Sequence, residues 1–487
     1  VAIREWNSGN SITYGELNEA ISSFSAWLLS CGVGKGSAVA IHLPNSIDFL
    51  VAKFAAFRCG AAAAYINFRL SDAEAARQSH LSGARVVVTT SAKAAELREN
   101  PDLSDVLFVL SDGGGALGYR LADLISAASP RFEPPLYMED EDAIIRFTSG
   151  STGLPKGVIV SHRAWLLRAL ASVSEEIKVV PGSITLAIGP LSHAAGLLVL
   201  PTFLRHGTLL LLEKFEVDTL ADLLTKERIS CTEMVPTILG MVMDIPEARE
   251  ALRKAGLSQL VYGGSPIRAS LVDELLDLLP RTELLNGYGS HEAGAITCLD
   301  GNDHRDRKIR YSVGRPLLAV GMRIADSVDG LGEIEVSTPW APHVRITASG
   351  REALTDKWIA TGDVGEIKDG VLFLRDRLND VIISGGFNVY PAEVERVIDD
   401  YENVAASVVV SKPDERWGER VVAFVLMRGS SELDVEGLRS HCRGQLAGYK
   451  VPKDFVQVRE IPMNATGKPD RRKMSEALWE GRARRIN

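Results

Sequence analysis

The most chemically loaded stretch of the 487-residue chain is IIRFTSGSTGLPKGVIVSH, Ile144 to His162. A strand-like apolar run leads into Thr148, Ser149, Gly150, Ser151, Thr152 and Gly153, then Lys156 and Gly157, before apolar residues resume. Glycines let successive backbone N–H groups turn inward as an anion-binding nest, hydroxyls add donors, and a lysine adds a point charge. That combination suits phosphates. The spacing is not that of a Walker loop, because Lys156 is preceded by Pro155 and followed by Gly157 rather than by Ser or Thr. A flexible Gly/Ser linker would need no apolar frame on both sides.

Other polar residues can do chemistry, and each has a plainer role as well. Glu292 follows the turn-like NGYGSH at Asn286 to His291. One carboxylate can hold Mg2+ while the metal keeps phosphate and water ligands, although a lone glutamate is more often a solvated surface charge. Asp363 sits in Thr-Gly-Asp, where a carboxylate can accept both hydroxyls of a ribose or can cap its own turn. His193 stands in PLSHAAG, an apolar run where a histidine is more often a core residue. Lys468 closes Asn-Ala-Thr-Gly-Lys ahead of Arg471, Arg472 and Lys473, which by itself reads as a solvated basic tail. The loop VYGGSP, with Gly263, Gly264 and Ser265, is unremarkable alone.

Composition narrows the field. Hydrophobic residues make up 46% and charged residues 24%, the balance of an ordinary globular protein rather than a disordered chain, a coiled coil or a collagen. The formal charge is −9, from 54 Lys+Arg against 63 Asp+Glu, so no general field draws the protein onto nucleic acid or an anionic membrane. Cys31, Cys59, Cys231, Cys298 and Cys442 form no CxxC pair and have no histidine at ligand spacing, which predicts a reducing, cytoplasmic setting. VAIREWNSGN lacks the features of an export signal, and the apolar stretch Leu186 to Leu204 is broken by Pro190, His193 and Pro201, so no membrane span is expected.

The elements that must position these residues alternate. Tyr14 to Leu29 and Asp48 to Cys59 have helical apolar spacing, while SAVAIHLP, AAAYIN, ARVVVTT and DVLFVL read as strands. A second alternating block runs from about Ile144 to Leu285, with strands near ITLAIGPL, GTLLLLE, CTEMVP and QLVYGG. Alternation of this kind predicts parallel sheets with helices on both faces. From about 301 to 376 short strands with Gly-Asp turns predict a small β-rich, barrel-like unit. After Arg377 the pattern becomes α+β, with helices from Pro391 and Val435 and strands at AASVVVS and RVVAFVLM.

Five segments, in order, resemble the adenylate-forming superfamily of acyl-CoA synthetases, aryl-CoA ligases, luciferases and peptide-synthetase adenylation domains. They are the Ile144 to His162 loop, NGYGSHE at Asn286 to Glu292, TGDVGEI at Thr361 to Ile367, DRLNDVIISGGFNVYPAEVE at Asp376 to Glu395, and PMNATGKPDRRKM at Pro462 to Met474. The resemblance spans essentially the whole chain and is strongest to acyl-CoA synthetases, through KPDERWGERVVAFV and LAGYKVPKDF. It implies an N-terminal part, residues 1–376, of two doubly wound α/β subdomains plus the small β-rich unit. A mobile C-terminal α+β lid, residues 377–487, would follow, hinged at about Asn379.

The resemblance also implies roles. Thr148 to Gly153 and Lys156 would hold the ATP phosphates, and Gly263, Gly264, Ser265, Asn286, Gly287 and Gly289 would border adenine, with Tyr288 against the ring. Asp363 would take the ribose and Arg377 would reach ribose or phosphate, Glu292 would hold Mg2+, and Lys468 would be the catalytic lysine. His193, Gly264 and Gly287 would line the acid pocket, and Ser384, Gly385 and Gly386 would border the coenzyme A arm. The sequence departs at His291, where the superfamily usually has a threonine against the α-phosphate, and at Asn379, where Asp or Lys is usual. No aspartate between Ile184 and Leu200 is present to neutralise an α-amino group, which disfavours an amino-acid substrate.

The implied reaction is activation of a hydrophobic carboxylic acid, medium-chain, aryl or polycyclic, as acyl-AMP with release of pyrophosphate, followed by transfer to coenzyme A. Catalysis would rest on positioning and charge neutralisation rather than on a protein nucleophile. A ligase that loads a carrier protein is the alternative enzyme. A degenerate nucleotide-binding protein without activity is the alternative of another class, motivated by His291 and Asn379.

Overall fold

The computed structural model describes residues 1–126, 133–136, 139–149, 155–290, 292–328, 330–347, 349–429, 431–463 and 469–479. Two nine-stranded sheets dominate the N-terminal part. In the first, the strands Asp142–Ser149, Ala62–Tyr65, Ala38–Ile41, Ala84–Thr89 and Leu107–Leu110 run parallel. Every residue of Ala38–Ile41 and Ala62–Tyr65 is buried. Unbroken apolar runs are what a parallel strand covered on both faces requires. The helix Tyr14–Ser30 starts at a capping box: the Thr13 side chain accepts from the Glu16 N–H, and Glu16 Oε2 accepts from the Thr13 N–H at 2.8 Å. It buries Leu17, Ala20, Ile21, Phe24 and Leu28, the stripe that a period of 3.6 produces.

The second sheet is parallel through Glu283–Ser290, Gln259–Gly263, Ile229–Met234, Ile184–Ala187 and Thr208–Leu211. These are the strands that the alternating pattern predicts. Membership of the two sheets does not follow the two sequence blocks, however. Asp142–Ser149 and Pro155–Ser161, at the head of the second block, complete the first sheet, while Ile3–Glu5 pairs parallel with Thr208–Leu211 in the second. Long-range pairing buries the apolar edges of strands far apart in sequence, which no local window records. The largest apolar cluster joins the two sheets, bringing Val39 and Val86 together with Ala187, Leu209 and Cys231.

The segment expected as one β-rich unit contributes to three sheets. Gly321–Val328, Leu331–Ser337, Ile359–Lys368 and Val371–Arg377 form their own four-stranded antiparallel sheet. Val344–Thr347 and Gly350–Ala353 instead extend the first sheet through Pro155–Ser161, and Arg315–Pro316 pairs with Gly294–Leu299 in the second. One hairpin here positions Asp363. Asp369 and Gly370 both have positive φ, 51° and 75°, the requirement of a tight two-residue hairpin turn, and a one-residue bulge farther along the pair, at Arg375, then brings Arg377 rather than Asp376 opposite Asp363.

The smaller C-terminal part carries a five-stranded sheet whose Val404–Asp414 and Gly418–Met427 strands pack on the helices Pro391–Asp399 and Val435–Gln445 through Val394, Ile398, Val409, Ala423 and Leu438. Among the described residues no helix is long and apolar enough to cross a membrane.

Candidate active site

Asp363, Tyr288 and Arg377 come together from three strands. The Asp363 carboxylate is 7% exposed. Tyr288 Oη donates to its Oδ2 at 2.7 Å, and Arg377 Nε lies 3.2 Å from its Oδ1. The Thr-Gly-Asp turn is secured separately: the Asp363 N–H donates to Thr361 Oγ1 at 3.1 Å, and Thr361 Oγ1 donates to the Ile334 carbonyl at 2.9 Å. The carboxylate is therefore not consumed in capping its own turn. Burial pushes the Tyr288 hydroxyl up in pKa, with the Asp363 charge adding to the effect, so the phenol stays a donor. Each carboxylate oxygen keeps a lone pair for a further donor, the capacity a vicinal diol needs.

The strands beside this cluster are bare. A Cβ at Gly263 would lie 2.2 Å from the Gly287 carbonyl oxygen, so close approach of the two strands demands glycine there. Above Gly264 and Gly287 a Cβ would meet no atom within 4 Å, which leaves open space at the strand ends. Asn286 is buried behind it, and Ser265 is half-buried at its edge. A flat ring fits against such a surface. Gly289 packs its own backbone against Gly294, where a Cβ would sit 2.3 Å from the carbonyl oxygen.

Glu292 is exposed just beyond this strand. Burial pulls the Arg146 guanidinium down in pKa, and the charge of Glu292 is among those opposing that shift. No cluster of three or more His, Cys, Asp or Glu side chains suited to a metal occurs among the described residues. A single exposed carboxylate fits Mg2+, which is ordinarily held by one or two carboxylates together with substrate phosphates. Lys156 is exposed and opposite Thr148 in the hairpin of Asp142–Ser149 and Pro155–Ser161, and Ser149 is opposite Pro155. Gly150, Ser151, Thr152, Gly153, His291 and Lys468 lie outside the described residues.

His193 precedes the short helix Ala194–Leu198, with its Nδ1 2.8 Å from Ser192 Oγ. Gly196, at the end of the PLSHAAG run, is required by packing: a Cβ there would lie 2.3 Å from the Leu191 carbonyl oxygen. Ser384, Gly385 and Gly386 belong to the C-terminal sheet. Ser384 is buried at the end of Ile382–Ser384. Both glycines have positive φ, but only Gly386 faces open space, since a Cβ at Gly385 would come within 2.6 Å of the Trp417 ring. Asn379 lies in the single turn Leu378–Asp380 that leads into this sheet.

The AMP-binding enzyme family matches residues 1–341, and its C-terminal domain matches residues 393–468. The chain belongs to this family. Feruloyl-CoA synthase of an Amycolatopsis species is 33% identical over 95% of this chain and 93% of its own length. The fatty acid–[acyl-carrier-protein] ligase ScoC of Streptomyces coeruleorubidus is 30% identical over 98% and 94%. Among solved structures, the amide bond synthetase McbA from Marinactinospora thermotolerans superposes with a TM-score of 0.86 at 29% identity, covering 98% of this chain and 97% of its own.

The structure of this AMP-binding enzyme adds residues that motif reading passed over. Asn45 ties the His193 loop to the first sheet, donating through Nδ2 to the Gly189 and Leu212 carbonyls at 2.8 and 3.0 Å and accepting from the Leu191 N–H at 2.8 Å. Asp376, one residue before Arg377, accepts from the N–H groups of Arg377 and Ala392, each at 2.7 Å, so it holds the first turn of the Pro391–Asp399 helix beside the Asp363 cluster. Burial pushes its carboxyl up to about 6. Glu233 is buried at the carboxyl end of Ile229–Met234. An acidic residue in an apolar strand was the one available signal for it.

Proposed function

We propose that this enzyme is an ATP-dependent acid–thiol ligase that forms an acyl- or aryl-CoA through an acyl-adenylate. The observation that carries the reading is the Asp363 carboxylate, held by Tyr288 and Arg377 at the end of an open, side-chain-free strand edge. Adenine lies over Gly264 and Gly287, the ribose diol donates to Asp363, and the phosphates run toward the loop between Asp142–Ser149 and Pro155–Ser161. A carboxylate oxygen of the acid then attacks the α-phosphorus. The P–O bond to pyrophosphate breaks, and the two electrons leave with pyrophosphate.

Charge accumulates on the phosphates as that bond breaks, and the chain answers it with Lys156, the loop N–H groups and Lys468. Mg2+ held at Glu292 would supply further neutralisation of the phosphate oxygens. In the second step the coenzyme A thiolate attacks the acyl carbonyl and AMP departs with the electrons of the acyl–phosphate bond. Arg377 lies one residue before the turn Leu378–Asp380, so rotation there would move the Pro391–Asp399 helix and the Ser384 to Gly386 loop together. Five free cysteines, Cys59, Cys231 and Cys442 among them buried, suit a reducing compartment such as the cytoplasm.

Transfer to a carrier protein is the second reading, favoured by the similarity to ScoC. The experiment is acid-dependent pyrophosphate release from ATP across a panel of aryl and aliphatic acids, with and without Mg2+. Release that requires both an acid and the metal is expected. A protein that binds ATP and releases no pyrophosphate with any acid would sink the ligase reading.

A further inference from the structure

Glu233 is the one residue at the strand ends for which the reaction above has no use. It precedes the last residue of Ile229–Met234, a strand with parallel neighbours on both sides, and is 5% exposed. Its register partners are Ala187 and Val261, so its side chain leaves the sheet on their face. That face carries Ala187, Leu209 and Leu211 into the apolar cluster between the two large sheets. The carboxylate is aimed along the strand end toward the His193 loop: a Cβ on Gly189 would lie 3.3 Å from Glu233 Oε2 and 3.8 Å from the Ala195 Cβ. Asn45 fixes that loop through the Gly189 carbonyl and the Leu191 N–H.

No described residue forms a hydrogen bond or ion pair with the Glu233 carboxyl group, and burial alone pushes it up to about 7. An unpaired buried carboxyl is costly and contributes nothing to this fold. In open α/β sheets the crevice beyond the carboxyl ends of the strands is where ligands bind. The open space over Gly264 and Gly287 lies just past the end of Gln259–Gly263 and beside it on Glu283–Ser290, the two strands that follow Ile229–Met234 across the sheet. Glu233 is two strands across and three residues along from Tyr288, roughly 14 Å between backbones, a span that an elongated acid joined to a nucleotide covers.

We propose that Glu233 selects the acid: the substrate carries a hydrogen-bond donor, a hydroxyl or an amine, remote from its reacting carboxyl group, and Glu233 receives it. The inference rests on the ligase reading and narrows it. A pocket built to pair a donor discriminates sharply against an analogue lacking it.

The test measures kcat/KM for pyrophosphate release on matched acids. Cinnamic acid is compared with its para-hydroxy and para-amino derivatives, and decanoic acid with its omega-hydroxy and omega-amino derivatives. The wild type is expected to favour a donor-bearing acid by at least about tenfold in one series. Glu233→Leu should bring that ratio to about one, with a melting temperature equal to or above the wild type. Glu233→Gln should keep part of a hydroxyl preference and lose an amine preference, which tells the two donors apart. A wild type indifferent to the donor in both series, or a ratio that survives in Glu233→Leu, overturns the proposal while leaving the ligase reading standing. Release with no acid at all would overturn both.

Discussion

A carboxylate meant to accept a diol has to stay aimed, and Asp363 is held from different strands. Arg377 supplies the opposing charge, and the Tyr288 hydroxyl fixes the orientation of Oδ2. Asp363→Asn keeps the shape and removes the charge. It should raise KM for ATP by roughly tenfold, the loss of one to two charge-assisted bonds, and should respond less than the wild type when ATP is replaced by its dideoxy form. Steady-state ATP titrations check this, and an unchanged KM would take the ribose away from Asp363. Asp363 and Tyr288 were legible because each stands in a short motif with a defined turn. Glu233 and Asn45 were not, because their meaning lies in what surrounds them: CTEMVP reads as an ordinary strand until the fold buries its glutamate without a partner.

At the scale of elements, local sequence carried most of the information. Thr13 with Glu16 and Ser71 with Glu74 announce their helices as capping boxes, and Asp369-Gly370 announces its hairpin, although the bulge at Arg375 that puts Arg377 opposite Asp363 has no local signal. Pairing was less legible. The hairpin Val344–Thr347 with Gly350–Ala353 leaves the β-rich segment to extend the first sheet, because its partner, Pro155–Ser161, lies nearly two hundred residues earlier. The C-terminal elements bear a prediction of their own. If Lys468 is needed only while phosphate charge builds, Lys468→Ala should lower adenylation about a hundredfold or more and leave thioester formation from supplied acyl-adenylate within about threefold. Comparing the two half-reactions decides it. An equal fall in both would contradict a lysine that serves one step.

For the whole molecule, the decisive feature of the proposed site is that it draws on several sheets at once. The strands Asp142–Ser149 and Pro155–Ser161 belong to the first large sheet, Tyr288 and Glu233 to the second, Asp363 and Arg377 to the four-stranded sheet, and Ser384 to the C-terminal one. Asp376 couples the last two by holding the Pro391–Asp399 helix. An arrangement in which nucleotide, acid and acceptor are met by separate units suits a two-step ligase, since the acceptor side can change while the nucleotide side stays fixed. The most direct measurement of that claim is a product analysis by mass spectrometry after incubation with ATP, Mg2+, coenzyme A and an acid that supports pyrophosphate release. The account predicts acyl-CoA, AMP and pyrophosphate in equal amounts. ADP with phosphate, or AMP and pyrophosphate with coenzyme A left unacylated, would contradict it.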